Sequence, residues 1–152
     1  MSLCAALLVG FCPLFFLRAG PAPARAKTEQ FEGKVVPMAA MLKDFGSQLD
    51  PEAASHWLAL VTKEGKVYPL IEDDGSRLFY KDAKLLNRPM RLTGRLFRDT
   101  HLLQVVKVHS YVKGKLCDVY YWCDICSIRR NQKQICDCCG GPMVLREVPV
   151  KK

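Results

Sequence analysis

Cys123-Asp124-Ile125-Cys126 and Cys136-Asp137-Cys138-Cys139-Gly140-Gly141 decide how the C-terminal part of this chain folds. Read through the first and last cysteine of each stretch, they form C-x2-C, a nine-residue loop and a second C-x2-C. Two cysteines three positions apart can place both sulfurs on one side of a tight turn. Two facing turns then supply four thiolates at the corners of a tetrahedron, the geometry of structural zinc. The spacing predicts a metal site on Cys123, Cys126, Cys136 and Cys139.

The segment around these cysteines has little apolar material of its own. Between Cys123 and Pro142 the large aliphatic side chains are Ile125, Ile128 and Ile135. So small a set cannot order the segment by burial, whereas a structural zinc ion contributes on the order of 10 kcal/mol or more to folding. Zinc is therefore the predicted cofactor.

Other chemistry of the same cysteines stays open. Iron takes the same four sulfurs in the same geometry and would indicate a redox or electron-transfer protein. Six cysteines follow residue 26, and an even number in an exported chain is typical of disulfides as well. Covalent haem is excluded, because it needs a histidine directly after C-x2-C and Ser127 and Gly140 occupy those places.

The N-terminus has the pattern of an export signal. Residues 3–17 are nearly all apolar, and a small-residue stretch follows that ends Ala24-Arg25-Ala26 before Lys27. Fifteen apolar residues are short for a membrane span of about 20 residues, so residues 1–26 are predicted to be a cleaved signal peptide. The predicted location is periplasmic or secreted. The alternative is an uncleaved anchor helix, the one case in which a membrane contact is expected.

Residues 27–122 are predicted to form a β domain. Strands are predicted at Phe31–Val36, His56–Val61, Val67–Ile71, Met90–Phe97, Leu102–His109 and Leu116–Trp122. One or two short helices are predicted as well, at Met38–Leu49 and after the cap Asp50. Gly94, inside a strand pattern, indicates a bulge or a sharp bend of the sheet. Six short strands in about ninety residues favour a small curled barrel.

Two resemblances extend this prediction. Residues 88–108, a bulged strand with Thr-Gly followed by a hairpin, resemble the strands of OB-like barrels. Tyr121-Trp-Cys-Asp-Ile-Cys together with Cys136-Asp-Cys-Cys-Gly-Gly-Pro resembles the paired knuckles of zinc-ribbon and rubredoxin-like modules. The barrel-plus-knuckle layout also resembles exported bacterial proteins, a resemblance that implies no activity. The predicted fold is mostly β: an OB-like barrel over 27–122, then a zinc-ribbon-like module over 123–152.

No catalytic constellation is visible in the sequence. His56, His101 and His109 are dispersed and have no Ser, Asp or Glu at motif spacing, which favours surface or core-edge roles. Cys117 lies mid-strand and is interpreted as a buried core thiol. Cys138 has four interpretations: a ligand in place of Cys136, which the C-x2-C spacing disfavours, an incidental small side chain, a reactive thiol, or a partner of Cys117. In Tyr120-Tyr121-Trp122, alternate residues are interpreted as facing the core and Trp122 as packing over the knuckle, rather than as a stacking platform for bases or sugars.

The chain has a small net positive charge once zinc-bound cysteines are counted. A chain that begins at Lys27 keeps 21 basic and 15 acidic side chains, a formal charge of +6. Four zinc-bound thiolates lower this to about +4 by charge counting. Because the basic residues are scattered, nucleic-acid binding is only a further alternative. The predicted function is a non-enzymatic, metal-stabilised binding module of the cell envelope, with an unknown protein or envelope component as its partner.

Overall fold

The computed structural model of the protein describes residues 27–43, 46–97 and 99–151. Those residues contain eight strands and three short α-helices, and the strands form one antiparallel sheet. The predicted mostly β class is therefore confirmed. The predicted signal peptide of residues 1–26 lies outside the described residues, as does Phe45 of the helix predicted at Met38–Leu49.

The first half of the described chain carries three strands and two helices. They are β1 (Thr28–Pro37), α1 (Met38–Lys43), α2 (Pro51–Ser55), β2 (Leu58–Thr62) and β3 (Val67–Pro69). Helix α2 begins as its sequence predicts. The Asp50 carboxylate accepts a hydrogen bond from the Glu52 N–H at 2.9 Å, and Pro51 occupies the first helical position.

The second half is almost entirely strand. After α3 (Arg77–Lys81) and a 3-10 turn (Ala83–Leu85) come β4 (Pro89–Phe97), β5 (Leu102–Val112), β6 (Lys115–Cys123), β7 (Ile128–Arg130) and β8 (Val144–Pro149). Strands β7 and β8 lie in the cysteine-rich tail, where the sequence analysis predicted only knuckles. The described residues therefore contain eight strands, whereas about six were predicted.

The first four strands have Greek-key order. Reading across the sheet, β3-β2-β1-β4 places the fourth strand beside the first, after a connection that contains α3. Strands β5 and β6 continue the sheet, and β6 pairs with β7 on one side and β8 on the other. Since Tyr121 and Trp122 pair with both β7 and β8, these two strands must occupy opposite edges of β6.

The sheet does not close into the predicted barrel. Leu70, just after β3, forms an isolated parallel bridge with Leu103 of β5, and the Ile71 N–H donates to the Leu103 carbonyl at 3.0 Å; within the described ranges β3 and β5 form no longer ladder. Two features explain the opening. Strand β3 has three residues, and β6 pairs with β5 over four residues before it continues to β7 and β8. The sheet is curled but open.

Gly94 has the role that its position in the strand pattern predicts. The pairing of β4 with β5 shifts between Thr93 and Gly94, so that Val106 is the extra residue of a β-bulge. A Cβ at Gly94 would lie 2.5 Å from the Gln104 carbonyl oxygen, closer than atoms can approach. Only glycine allows the two strands to come together here.

The core lies on the concave side of the sheet. Met90 and Leu92 of β4 and Leu103 of β5 are completely buried there, and Phe79 of α3 and Leu85 of the 3-10 turn pack against them. This core continues along β6 through Val119 and Tyr121 to Cys123. The cysteine-rich tail is therefore joined to the body of the protein by one continuous strand.

None of the helices in the described ranges combines the length and the apolar character that a membrane crossing needs.

Candidate metal centre

Strand β6 delivers the first cysteine. Its inward side chains are Cys117, Val119, Tyr121 and Cys123, all nearly inaccessible to solvent. Cys123 is the last residue of the strand and pairs with Ile128, the first residue of β7, so that residues 124–127 form the loop of a hairpin. The first knuckle is thus held at both ends by the sheet.

The two knuckles have the same backbone conformation. In the first, the Ser127 N–H donates to the Cys123 carbonyl at 2.9 Å, and in the second the Gly140 N–H donates to the Cys136 carbonyl at 2.9 Å. The residue that follows the last cysteine has positive φ in both, +53° at Ser127 and +69° at Gly140. Glycine adopts this conformation without penalty, whereas serine does so less readily.

The four predicted ligands converge. The Sγ atoms of Cys123, Cys126, Cys136 and Cys139 all lie within 4.8 Å of one another. Zn–S bonds of about 2.3 Å require sulfurs about 3.8 Å apart in a tetrahedron, and the Cys123 and Cys139 sulfurs are 3.5 Å apart. These distances fit a single ion at the centre of the four sulfurs.

Backbone N–H groups point at the first sulfur of each knuckle. The Cys126 N–H donates to Cys123 Sγ at 3.5 Å. At the second knuckle the N–H groups of Cys139 and Cys138 donate to the Cys136 sulfur and lower the pKa of this thiol to about 7. Such hydrogen bonds favour the thiolate, which is the form that binds metal.

Each knuckle is also tied to a neighbouring strand by an ion pair at the same position. Asp124 follows Cys123 and pairs with Arg146 of β8 at 2.6 Å, while Asp137 follows Cys136 and pairs with Arg130 of β7 at 3.0 Å. All four side chains are largely exposed, so each pair contributes at most about 1 kcal/mol. The pairs orient the knuckles more than they stabilise them.

The tail has a very small apolar core, as the sequence predicts. Ile125 is 77% exposed and Ile135 69% exposed, whereas the buried side chains of residues 123–151 are Cys123, Cys136 and Met143. Two of these three are predicted metal ligands. The buried side chains of this segment are therefore sulfur-containing residues, and most of them are cysteines.

Strand β6 is fixed to the body by a buried hydrogen bond two residues before Cys123. The Tyr121 hydroxyl donates to Asp82 Oδ2 at 2.7 Å, next to the 3-10 turn. Burial, together with this hydrogen bond to Asp82, raises the pKa of Tyr121 well above its ordinary value. A second, exposed contact joins Asn131 at the loop tip to Asp74 before α3, at 3.2 Å. The knuckles are thus positioned against the helix-bearing end of the sheet.

Cys117 and the histidines are not part of this centre, whereas Cys138 lies beside it and contacts the Cys126 thiol. Cys117 is buried in the strand and Cys138 is exposed, and neither forms a disulfide. His56 pairs with Glu72 at 2.8 Å on the surface, and His109 is buried. Among the described residues, the four cysteines are the sole group of three or more His, Cys, Asp or Glu side chains close enough to hold a metal.

Sequence reasoning missed the ion pairs that orient the knuckles. The signal was present, because an aspartate follows the first cysteine in both C-x2-C stretches. What the sequence does not show is which arginine reaches each aspartate, since Arg130 and Arg146 come into place only through the pairing of β7 and β8 with β6.

Comparisons with protein-family models, with curated proteins and with solved structures find no match. The assignment of this centre therefore depends on its geometry. Four converging sulfurs form a site compatible with a metal ion, and zinc and iron both accept such a set.

Proposed function

We propose that the protein is an exported, non-enzymatic binding module whose C-terminal segment is held in shape by a structural zinc ion on Cys123, Cys126, Cys136 and Cys139. The observation that carries the proposal is the convergence of these four sulfurs within 4.8 Å on two knuckles of identical backbone form. All four ligand positions are filled by protein, and such closed sites are structural rather than catalytic.

The order of the strands supports an OB-like body and a zinc-ribbon-like tail. Strand β1 pairs with β2 and β4, β2 pairs with β3, β4 pairs with β5, and one parallel bridge joins the end of β3 to β5. OB barrels are five-stranded, partly open Greek-key barrels, and this connectivity is of that kind. Such bodies present a sheet face to their ligands, which favours a binding role.

Export is proposed from the sequence pattern of residues 3–26 alone. A C-terminal reporter fusion tests it: activity of a reporter that works only outside the cytoplasm supports export. Activity restricted to a cytoplasmic reporter contradicts it and favours the nucleic-acid alternative.

A redox role is the second candidate, and one observation favours it. The cluster is accessible from one side, because Cys139 is exposed and the exposed Cys138 lies beside it. Cys138 also hydrogen bonds with the Cys126 thiol, whose pKa this contact and the one with Cys139 raise. An exposed metal–sulfur edge is what electron transfer needs, and iron in place of zinc would supply that function.

Elemental mass spectrometry of the protein purified from its native compartment, together with a thiol count after denaturation with a chelator, tests the metal. One zinc per chain with all the thiols of residues 117–139 free supports the structural role. One iron and a visible absorption band support the redox role. Absence of metal with paired cysteines contradicts both. Cys123→Ser should abolish metal binding, whereas the control Cys138→Ser should leave one ion per chain.

A further inference from the structure

A groove of about 1030 Å³ lies on the outer face of the sheet, far along the chain from the cysteines. Phe31 and Val35 of β1 face the core, so Glu32, Lys34 and Val36, which have the opposite parity along the strand, face outward. Lys34 pairs with Val61 of β2, which faces the same way. Helix α1 borders this surface, so the groove has a sheet on one side and a helix on another.

The lining of the groove is predominantly apolar. Val36 and Val61 contribute from the sheet, Ala40 and Met41 from α1, and Pro89 from the start of β4. A concave, mostly apolar surface of this size with a few polar groups is typical of small-molecule sites. Its volume suits an elongated apolar chain.

The charged groups of the groove are of two kinds. Glu32 is neutralised in place: its Oε1 accepts a hydrogen bond from the Tyr111 hydroxyl at 2.6 Å and one from Arg91 at 2.8 Å. Lys34 and Lys63 also line the groove, and neither belongs to any ion pair found between described residues. The charged side chains of the lining therefore sum to +1, and the Glu32 carboxylate is already engaged by Tyr111 and Arg91.

We propose that this groove binds an anionic amphiphile, with an alkyl chain on the apolar lining and a carboxylate beside Lys34 and Lys63. The size and apolar lining select the chain, and the two lysines select the charge of the head group. The proposal deepens the binding role proposed above and rests on it. It involves no residue of the cysteine module, so metal content and ligand binding can fail independently.

Isothermal titration calorimetry of the zinc-loaded full chain with dodecanoate, below its critical micelle concentration, tests the proposal. Saturable binding of one dodecanoate per chain is expected, with dodecylammonium of the same chain length bound at least about tenfold more weakly because of the lysines. Absence of dodecanoate binding, or equal binding of the two amphiphiles, would overturn it. Metal is measured on the same sample, so loss of zinc points to failure of the structural role instead.

Two pairs of variants locate the site. Ala40→Phe fills the groove from α1 and should abolish binding, whereas Ala53→Phe on the exposed surface of α2 should not. Lys34→Gln with Lys63→Gln should weaken dodecanoate binding about tenfold, whereas Lys113→Gln with Lys115→Gln, in the β5–β6 turn, should leave it unchanged. Circular dichroism checks that each variant is folded. Equal affinities within either pair of folded variants would place the ligand elsewhere and contradict the proposal.

Discussion

The body of the protein (residues 27–122) and the cysteine-rich tail (residues 123–151) bury different kinds of side chains. The body buries aliphatic and aromatic side chains such as Leu92, Leu103 and Phe79, whereas the tail buries two cysteines and Met143 and leaves Ile125 and Ile135 in solvent. Apolar burial stabilises a chain only when enough surface is removed from water. The body meets that condition by itself. The tail meets it only with the help of its sulfurs, so the two regions should respond differently to the same perturbations.

Removal of the metal should have the largest effect and should be confined to the tail. A structural zinc contributes on the order of 10 kcal/mol, so chelation should abolish hydrogen-exchange protection in β7, β8 and both knuckles. The strands β1 to β4 should remain protected, because their core consists of aliphatic and aromatic side chains and does not depend on the metal. Hydrogen exchange with mass spectrometry provides the measurement. Unchanged protection of the tail after verified metal loss would show that the contrast between the two interiors is wrong.

Truncation of aliphatic side chains should show the opposite pattern. Leu92→Ala removes a completely buried side chain of the body and should lower the free energy of unfolding by about 2–5 kcal/mol. Ile125→Ala in the tail removes a side chain that is 77% exposed and should change it by less than about 0.5 kcal/mol. Urea unfolding of the metal-loaded protein measures both. A large decrease in the free energy of unfolding for Ile125→Ala would mean that the tail depends on apolar packing after all.

Loss of the Tyr121 hydroxyl tests how the body holds the end of β6, which leads into the tail. Tyr121→Phe leaves the buried Asp82 without its 2.7 Å donor, and an unsatisfied buried acceptor costs about 1–3 kcal/mol. Unfolding of the single variants and of the double variant with Asp82→Asn gives the coupling energy between the two side chains. A coupling energy near zero would mean that the pairing of β6 with its neighbouring strands, and not this hydrogen bond, holds the end of β6.

His109 should produce the smallest effect, a pH dependence that belongs to the body. Burial, assisted by Lys107, lowers the pKa of His109 below its ordinary value of 6.5, although Asp118 opposes this and Arg91 adds to it. The unfolded chain therefore takes up the proton first. The free energy of unfolding should therefore not depend on His109 above pH 6.5. It should decrease as the pH falls from there toward the lower pKa of His109 in the folded state.

The variant His109→Gln isolates this contribution. Its free energy of unfolding should fall less steeply than that of the wild type between pH 7 and pH 5, roughly the range in which histidine titrates. Parallel curves for the two proteins would show that the imidazole keeps its ordinary affinity for protons.

The sequence predicted those features that depend on residue spacing. The C-x2-C pairs identified the four sulfurs that converge, and Gly94 identified the position of the β-bulge between β4 and β5, because a short-range pattern determines each. Strand β8 was missed, since Val144–Pro149 contains Arg146, Glu147 and Pro149 and becomes a strand only by pairing with β6. Whether the barrel closes could not be predicted, because the number of β6 residues that pair with β5 depends on competition with β7 for the same edge of β6.

The continuity of β6 sets the order in which the centre can assemble. Cys123 ends a strand whose Tyr121 is already hydrogen bonded to Asp82, so the folded body holds one corner of the site before any ion arrives. Cys136 and Cys139 lie beyond a polar loop whose side-chain contact with the body is the exposed hydrogen bond between Asn131 and Asp74. An incoming ion should therefore be captured first by the pair nearer the body and then draw the distant pair inward, so that loading of the ion and closure of the loop become a single event.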